Sequence, residues 1–387
     1  MQTIAIFAMT LVVLANLPIA VARADETTDA TDKSIEIGMF GPITGPLSAV
    51  AVYKDINDCG GINGRQLELV IEDDGCDANK GVAAAKKLIS QDKVFLLHGA
   101  SCSAVALAIR PEIKKQPFVP YVVLSAAHPS ISSPPVLANL HHPTPTAKIM
   151  GERMADFALS EPGAKRVGIV RQSDEWVAGY GDAAIARLKE KGIEPVKVVT
   201  FERGGTEATQ QVLAMREAKP DVVLAILDPA EFAIYIREVY KYGVKTTALG
   251  ADVVSIDGVD KKISIPAEIH DVYAAYRLSA MITSLCLSRY AKTFKKYCPS
   301  ESQDTLAFDG TSGAVAIVEV LKRLGAKNVS RQRFNAQMNQ LTNFDTGVQS
   351  GRLSFSKDNN VGLKDMKLIA IVNNKPMLFS KYGEAEK

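Results

Sequence analysis

Between residues 96 and 110 the chain reads LLHGASCSAVALAIR, an apolar run that gives way to His98, Gly99 and small residues around Cys102 and Ser103. Three kinds of chemistry use such residues. Cys102 beside His98 or His128 could act as a thiol nucleophile with its base. Cys102 could instead be half of a disulfide, and a bridge to Cys76 in EDDGCDANKG would close a loop of about 26 residues, worth roughly 3 kcal/mol by loop entropy. Ser103 could open the helix SAVALAIR, where the first backbone N–H groups lack intrahelical partners and the dipole favours an anion. Small residues there let a carboxylate approach. The stretch LSAAHP, from Leu124 to Pro129, repeats the arrangement of strand end, small residues and then His128. For Ser103 alone, a plain helix cap accounts for the residue as well as ligand contact does.

Other candidate groups are weaker. Glu72, Asp73, Asp74 and Asp77 superficially resemble calcium ligands, yet they lack the regular alternation and the closing bidentate acid. They read as a solvated loop ending in a helix N-cap. His141 and His142 are adjacent and lack a third ligand, so they read as a surface pair rather than a metal site. NVS, from Asn328 to Ser330, fits the glycosylation pattern by chance as easily as by design. The chain has no G-x-G-x-x-G, no Walker-type glycine loop, no G-x-S-x-G elbow and no H-E-x-x-H. No cofactor or metal is called for.

The elements that must hold these residues come from the whole chain. Its 387 residues suit two domains better than one. With 45 basic against 43 acidic residues there is no field to attract nucleic acid or an anionic membrane. Residues 1–24 are apolar and end in Ala22, Arg23 and Ala24, the small-residue spacing of a cleaved signal peptide, although no Lys or Arg precedes the apolar core. The expectation is an exported protein, cut near Ala24, in the periplasm. Export makes the five cysteines candidates for disulfides. Cys286 and Cys298 flank a helical stretch whose ends, if it is continuous, lie too far apart to bond. Cys59 follows a helix end and is expected to be free.

From Ser34, short β-rich runs alternate with amphipathic helical patterns. IEIGMF, LELVIEDD, VFLLHG and FVPYVVLS read as strands, and NKGVAAAKKLISQ and SAVALAIRPEIKKQ as helices. After a proline-rich, turn-like stretch, His141 to Lys148, the alternation restarts with RVGIVR, YGDAAIARLKEKG, EPVKVVTF, TEATQQVLAMREAKP, DVVLAIL, AEFAIYIREVYKYG and TTALGAD. A long helical region follows, and GRLSFS and MKLIAIV read as closing strands. The fold class is α/β, with two Rossmann-like lobes built on parallel sheets. Ligands in such sheets gather beyond the carboxyl ends of the strands.

GPITGPL, DINDCGGINGRQLELVIEDDGCD, HGASCS, LSAAHP, AKPDVVLAIL and FDTGVQSGRLSFSKDNNVG occur in this order along nearly the whole chain after the leader. Together they resemble the leucine/isoleucine/valine-binding family of periplasmic solute-binding proteins, the receptors of ABC importers. The resemblance implies a Venus-flytrap architecture with three crossover strands between the lobes. Residues 25–146 and 277–355 would form the N-terminal lobe, and residues 147–276 and 356–387 the C-terminal lobe. It implies a Cys76–Cys102 disulfide and a carboxylate-binding role for Ser103. The next strand-end loop, Ala126, Ala127 and His128, would join it, with His128 where the family often has threonine. From the second lobe the resemblance places Trp176 over the ligand, and an ammonium-binding acid at Asp252. Asp228 falls where the family often has tyrosine. After TGPL the chain is shorter than the family pattern by about ten residues, or roughly three turns of helix.

The function this implies is capture of a small carboxylate-bearing ligand by hinge closure and delivery to an inner-membrane ABC permease. A branched-chain or related amino acid comes first as ligand, and an aromatic carboxylate or an amide second. A sensor feeding a membrane receptor is the alternative role. The protein is expected to be a monomer with no nucleic-acid partner. With Cys102 in a disulfide the cleft has no nucleophile, so no enzyme activity is expected.

Overall fold

The computed structural model describes residues 30–42, 48–251, 277–278, 292–293, 296–297, 305–327, 329–349, 351–364, 368–372, 375–381 and 384–385. The leader, Asp252, Cys286, Cys298 and Asn328 lie outside the described residues.

Strand β1 (Ser34–Gly41, SIEIGMFG) is buried at seven of its eight positions, as expected of a central strand covered on both faces. It pairs in parallel with β2 (Gln66–Asp73) on one side and β3 (Leu96–Gly99) on the other. Adding β4 (Tyr121–Val123) and β5 (Leu140–His141) gives the order β2-β1-β3-β4-β5. β2 is the edge strand, and its burial is correspondingly patchy. Helix α1 (Ser48–Asp58) covers one face together with α8 (Thr305–Leu324), and their Tyr53, Ile56, Ile317 and Leu321 share one core with Ile37 and Leu96. Helices α2 (Ala78–Ser90) and α3 (Ser103–Lys115) cover the other, through Ala85, Leu88, Val105 and Ile109. Asp77 caps α2 by accepting the N–H groups of Asn79 and Lys80, both at 2.9 Å.

The second sheet repeats the plan with β6 (Val167–Gln172), β7 (Lys197–Phe201), β8 (Val222–Ile226) and β9 (Thr247–Gly250), all parallel in the order β7-β6-β8-β9. One face carries α4 (Ala147–Ala158) and α5 (Glu175–Glu190), and the other α6 (Thr209–Ala218) and α7 (Pro229–Lys241). A third, antiparallel sheet joins β10 (Arg277–Leu278), β11 (Leu368–Val372), β12 (Lys375–Lys381) and β13 (Glu384–Ala385).

Several local expectations are corrected. Helix α4 follows the proline-rich stretch at once, and helix α9 (Arg331–Met338) was not anticipated. GRLSFS forms no strand: Leu353 bridges only Phe344, and Ser356 bridges Asn359 in a tight turn. Leu353 and Phe355 are nonetheless buried, so the alternation in the sequence is real but answers to packing rather than to a sheet. His141 and His142 are fully buried, not a surface pair. Both sides of their backbone are covered, His141 ring-edge to ring against Phe355 and His142 beside Ser132, whose hydroxyl lies 3.0 Å from Nδ1. Of the acids in EDDGCD, Asp74 is fully buried, and burial pushes its carboxyl up.

The α4–α5 pair depends on a glycine. A Cβ at Gly151 would stand 2.2 Å from the carbonyl oxygen of Tyr180 and 2.9 Å from the amide nitrogen of Ala184. Backbone cannot swing aside as a side-chain tip can, so Gly151→Ala is expected to cost about 2 kcal/mol, read as a lower urea midpoint. An unchanged midpoint would show that the helices can separate freely.

Candidate functional site

In each parallel sheet the crevice for a ligand opens where neighbouring strands send their connections to opposite faces. In the first sheet that point lies between β1 and β3, and β3 leads straight through Ala100, Ser101 and Cys102 into α3. In the second it lies between β6 and β8, whose carboxyl ends carry Gln172 and, two residues beyond Ile226, Asp228.

Ser103 is the first residue of α3 and is buried. Its hydroxyl oxygen accepts the N–H groups of Ala127 at 3.3 Å and His128 at 3.2 Å. Two lone pairs are thereby used, and the hydroxyl proton is left to donate. The Ala126 N–H is taken by the Ala100 carbonyl at 3.1 Å. The loop amides are thus committed to holding the loop, and donors for an anion come from the Ser103 hydroxyl and the first turn of α3. Cys102 is the N-cap and makes no side-chain cap bond. It is bonded to Cys76 with a Cα–Cα distance of 5.5 Å, which ties the end of β2 to the start of α3. Cys102 is therefore no nucleophile. His98 is no base either: it is fully buried with Nδ1 2.8 Å from the Tyr53 hydroxyl, and burial holds it down to about 3. Cys59 is free and exposed, as expected.

His128 caps the 3-10 turn Pro129–Ile131, its Nδ1 accepting the Ser130 N–H at 3.1 Å. When neutral it carries its proton on Nε2. Burial pulls its pKa down, while Glu175 and Asp182 on α5 push it up. The loop therefore lies against the second sheet's helices. Ala127 belongs to the same apolar cluster as Met150, Val177 and Tyr180, and Trp176 packs on that cluster's rim.

Trp176 sits in the first turn of α5, which begins at Glu175, ahead of the expected helix YGDAAIARLKEKG. Asp174 is the N-cap, accepting the Val177 N–H at 3.1 Å. The Trp176 and Tyr180 rings meet edge-to-face, their centroids 5.8 Å apart. Gln172 links two acids: its side-chain amide donates to Asp174 at 3.2 Å and to Asp228 at 3.0 Å, and its carbonyl accepts the Asp228 N–H at 2.9 Å. Burial raises the pKa of both carboxyls, and Arg203, 4.0 Å from Asp228, stands opposite as a counter-charge. Asp228 occupies the N-cap of α7 without a side-chain cap bond, so the helix does not consume it.

The geometry thus brings Ser103, Ala126, Ala127, His128 and Trp176 into one connected region, and Gln172 links Asp174, at the start of the same helix as Trp176, to Asp228. Asp252 lies outside the described residues. Gln172 and Asp174 were missed by sequence reasoning. Asp174 followed by Glu175 is a helix-start signal that lies ahead of the expected helix YGDAAIARLKEKG.

The profile of the periplasmic binding protein family matches residues 34–376. The chain belongs to that family. The family is one of binding proteins, not of enzymes. Among curated relatives, an "Amino acid binding protein" of Pseudomonas aeruginosa is 26% identical over 58% of this chain and 62% of its own length. The chain therefore spans a little under two thirds of that relative. Among solved structures, the branched-chain amino acid transporter substrate binding protein of Streptococcus pneumoniae, in complex with isoleucine, superposes with a TM-score of 0.74 at 19% identity, over 92% of this chain and 99% of that one. An ABC-transporter solute binding protein from R. palustris in complex with benzoate gives 0.75 at 18% identity, over 91% and 97%. At such identities these likenesses establish the fold: α/β with two parallel sheets, of the type I periplasmic binding protein kind. No helix among the described residues is long and apolar enough to cross a membrane.

Proposed function

We propose that this chain is the periplasmic receptor of an ABC importer, closing two lobes on a small carboxylate-bearing ligand and presenting it to a membrane permease. The observation that carries this reading is the Ser103 hydroxyl oxygen, which accepts the Ala127 and His128 amides and so leaves its own proton to donate at the start of a helix. A carboxylate there would take that proton's hydrogen bond and those of the first-turn amides.

An amino acid is the preferred ligand. Asp228 is held by Gln172, is not used as a cap and, among the described residues, meets a counter-charge only at 4.0 Å, which suits an ammonium group. Trp176 offers an apolar face for the side chain. A name among the relatives and an isoleucine complex among the structural neighbours agree with this. An aromatic acid is the second reading, supported by the same Trp176 face and by the benzoate complex of a neighbour.

Isothermal titration with L-isoleucine and with benzoate tests both. Ser103→Ala and Trp176→Ala are each expected to weaken binding about tenfold or more, a loss of about 1.4 kcal/mol, while the protein stays folded. Asp228→Asn separates the readings, since it should impair an amino acid and spare benzoate. Unchanged titration curves for Ser103→Ala and Trp176→Ala would remove these residues from the site.

A further inference from the structure

Helix α5 presents one row of residues to the ligand loop of the first lobe. Trp176, Gly179 and Tyr180 lie at spacings of three and four, and so on one side of the helix. α3 and α5, which belong to different sheets, approach within 8 Å between Cα atoms. At the point of contact a Cβ on Gly179 would stand 2.6 Å from Cδ and 3.2 Å from Cγ of Pro129, and 3.5 Å from Cδ2 of His128. The first of these distances is one that real side chains do not tolerate. Pro129 begins the rigid 3-10 turn that follows His128, and its ring cannot rotate away. Glu175 and Asp182 flank Gly179 at four and three residues, and both act on the His128 charge, so the loop lies along this row.

We propose that Gly179 is the residue that lets the lobes close over the ligand, because it leaves the space that the Pro129 ring occupies. The inference rests on the binding function proposed above, but its test does not. Any side chain at position 179 acts as a wedge between the ligand loop and α5. It holds Trp176, one turn earlier on the same face, away from Ala127 and Ser103. The choice of glycine is not explained by the helix itself, which alanine would favour. A wedge therefore predicts an unusual pair of effects: a sounder helix and a more open cleft.

The test uses the full chain with Gly179→Ala, Gly179→Val, Pro129→Ala and the double variant Pro129→Ala/Gly179→Ala. X-ray scattering reads the radius of gyration, and the fluorescence of Trp176, the only tryptophan, reads its exposure. Circular dichroism checks that each variant folds. Gly179→Ala and Gly179→Val are expected to raise the radius of gyration and shift Trp176 emission to the red with helical content kept. Pro129→Ala should behave like the native chain, and the double variant should return towards it. Whichever of L-isoleucine and benzoate binds the native protein should bind Gly179→Ala about tenfold more weakly, and the double variant should recover most of that loss. Native scattering and emission in Gly179→Ala, or an effect that Pro129→Ala does not reverse, would overturn the proposal. If neither probe binds the native protein, the ligand assignment fails, and scattering and emission still decide the closure.

Discussion

Taking the protein from pH 7 to pH 5 is expected to lower its folding stability by several kcal/mol, and three imidazoles are the cause. His98, His141 and His142 are fully buried, and burial holds them down to about 3, 4 and 4, against 6.5 for an exposed histidine. Among the described residues their neighbours are uncharged: Tyr53 and Gly313 beside His98, Asn339 and Phe355 beside His141, Ser132 and the Ala126 backbone beside His142. In the unfolded chain each takes up a proton below about pH 6.5, while in the folded chain it cannot until about pH 4. The stability they contribute is therefore complete above pH 6.5 and lost as pH falls towards 4. At about 1.4 kcal/mol per pH unit for each group, the three together remove on the order of 5 kcal/mol by pH 5. Asp74, Asp174 and Asp228 work in the opposite sense, since burial raises their pKa and protonation then favours the fold, so the net loss is smaller. Urea denaturation at pH 7, 6 and 5 reads the slope. Equal midpoints at pH 7 and pH 5 would sink the idea, and His142→Gln should flatten the slope by about a third if the three act independently.

Those histidines also show where the sequence stopped being legible. Each is polar and adjacent to turn-forming residues, and nothing local says that helices cover the sheet on both faces, leaving a strand-end side chain nowhere to face water. The alternation of β1, β2, α2, β3 and α3 was readable because each element carries its own period. Helix α4 has helical spacing in Met150, Met154 and Phe157, but alanine and glycine fill the rest of its buried face, and its signal hid behind the prolines before it. The first wall of the candidate site was legible because Ser103 stands among small neighbours at a helix start. The second wall was only half legible. Trp176 stood out as the only tryptophan, whereas Gln172 matters through contacts with Asp174 and Asp228, the latter 56 residues away. Gly179 meets a proline 50 positions earlier, in the connection after β4 of the other sheet, and no local pattern encodes that approach.

Replacing both half-cystines, Cys76→Ala with Cys102→Ala, is expected to cost roughly 3 kcal/mol, because the bridge closes a loop of 26 residues and the freed unfolded chain regains that entropy. The loss should reach the site as well as the fold. Cys102 is the N-cap of α3, yet its side chain caps nothing, so the covalent link to the β2 exit is what anchors the residue just before Ser103. On the other side of the bridge the turn is held by the Asp74 carboxylate, which accepts the Cys76 N–H at 2.8 Å. Without the bridge, the Ser103 hydroxyl keeps its two loop amides only by packing, and the first turn of α3 can fray away from them. The double variant should therefore show a lower urea midpoint and weaker binding of the native protein's ligand. Cys59→Ala, at an exposed and unbridged position, should change neither. A variant that lost stability but bound as tightly as the native chain would separate the two roles and leave the disulfide a staple of the fold alone.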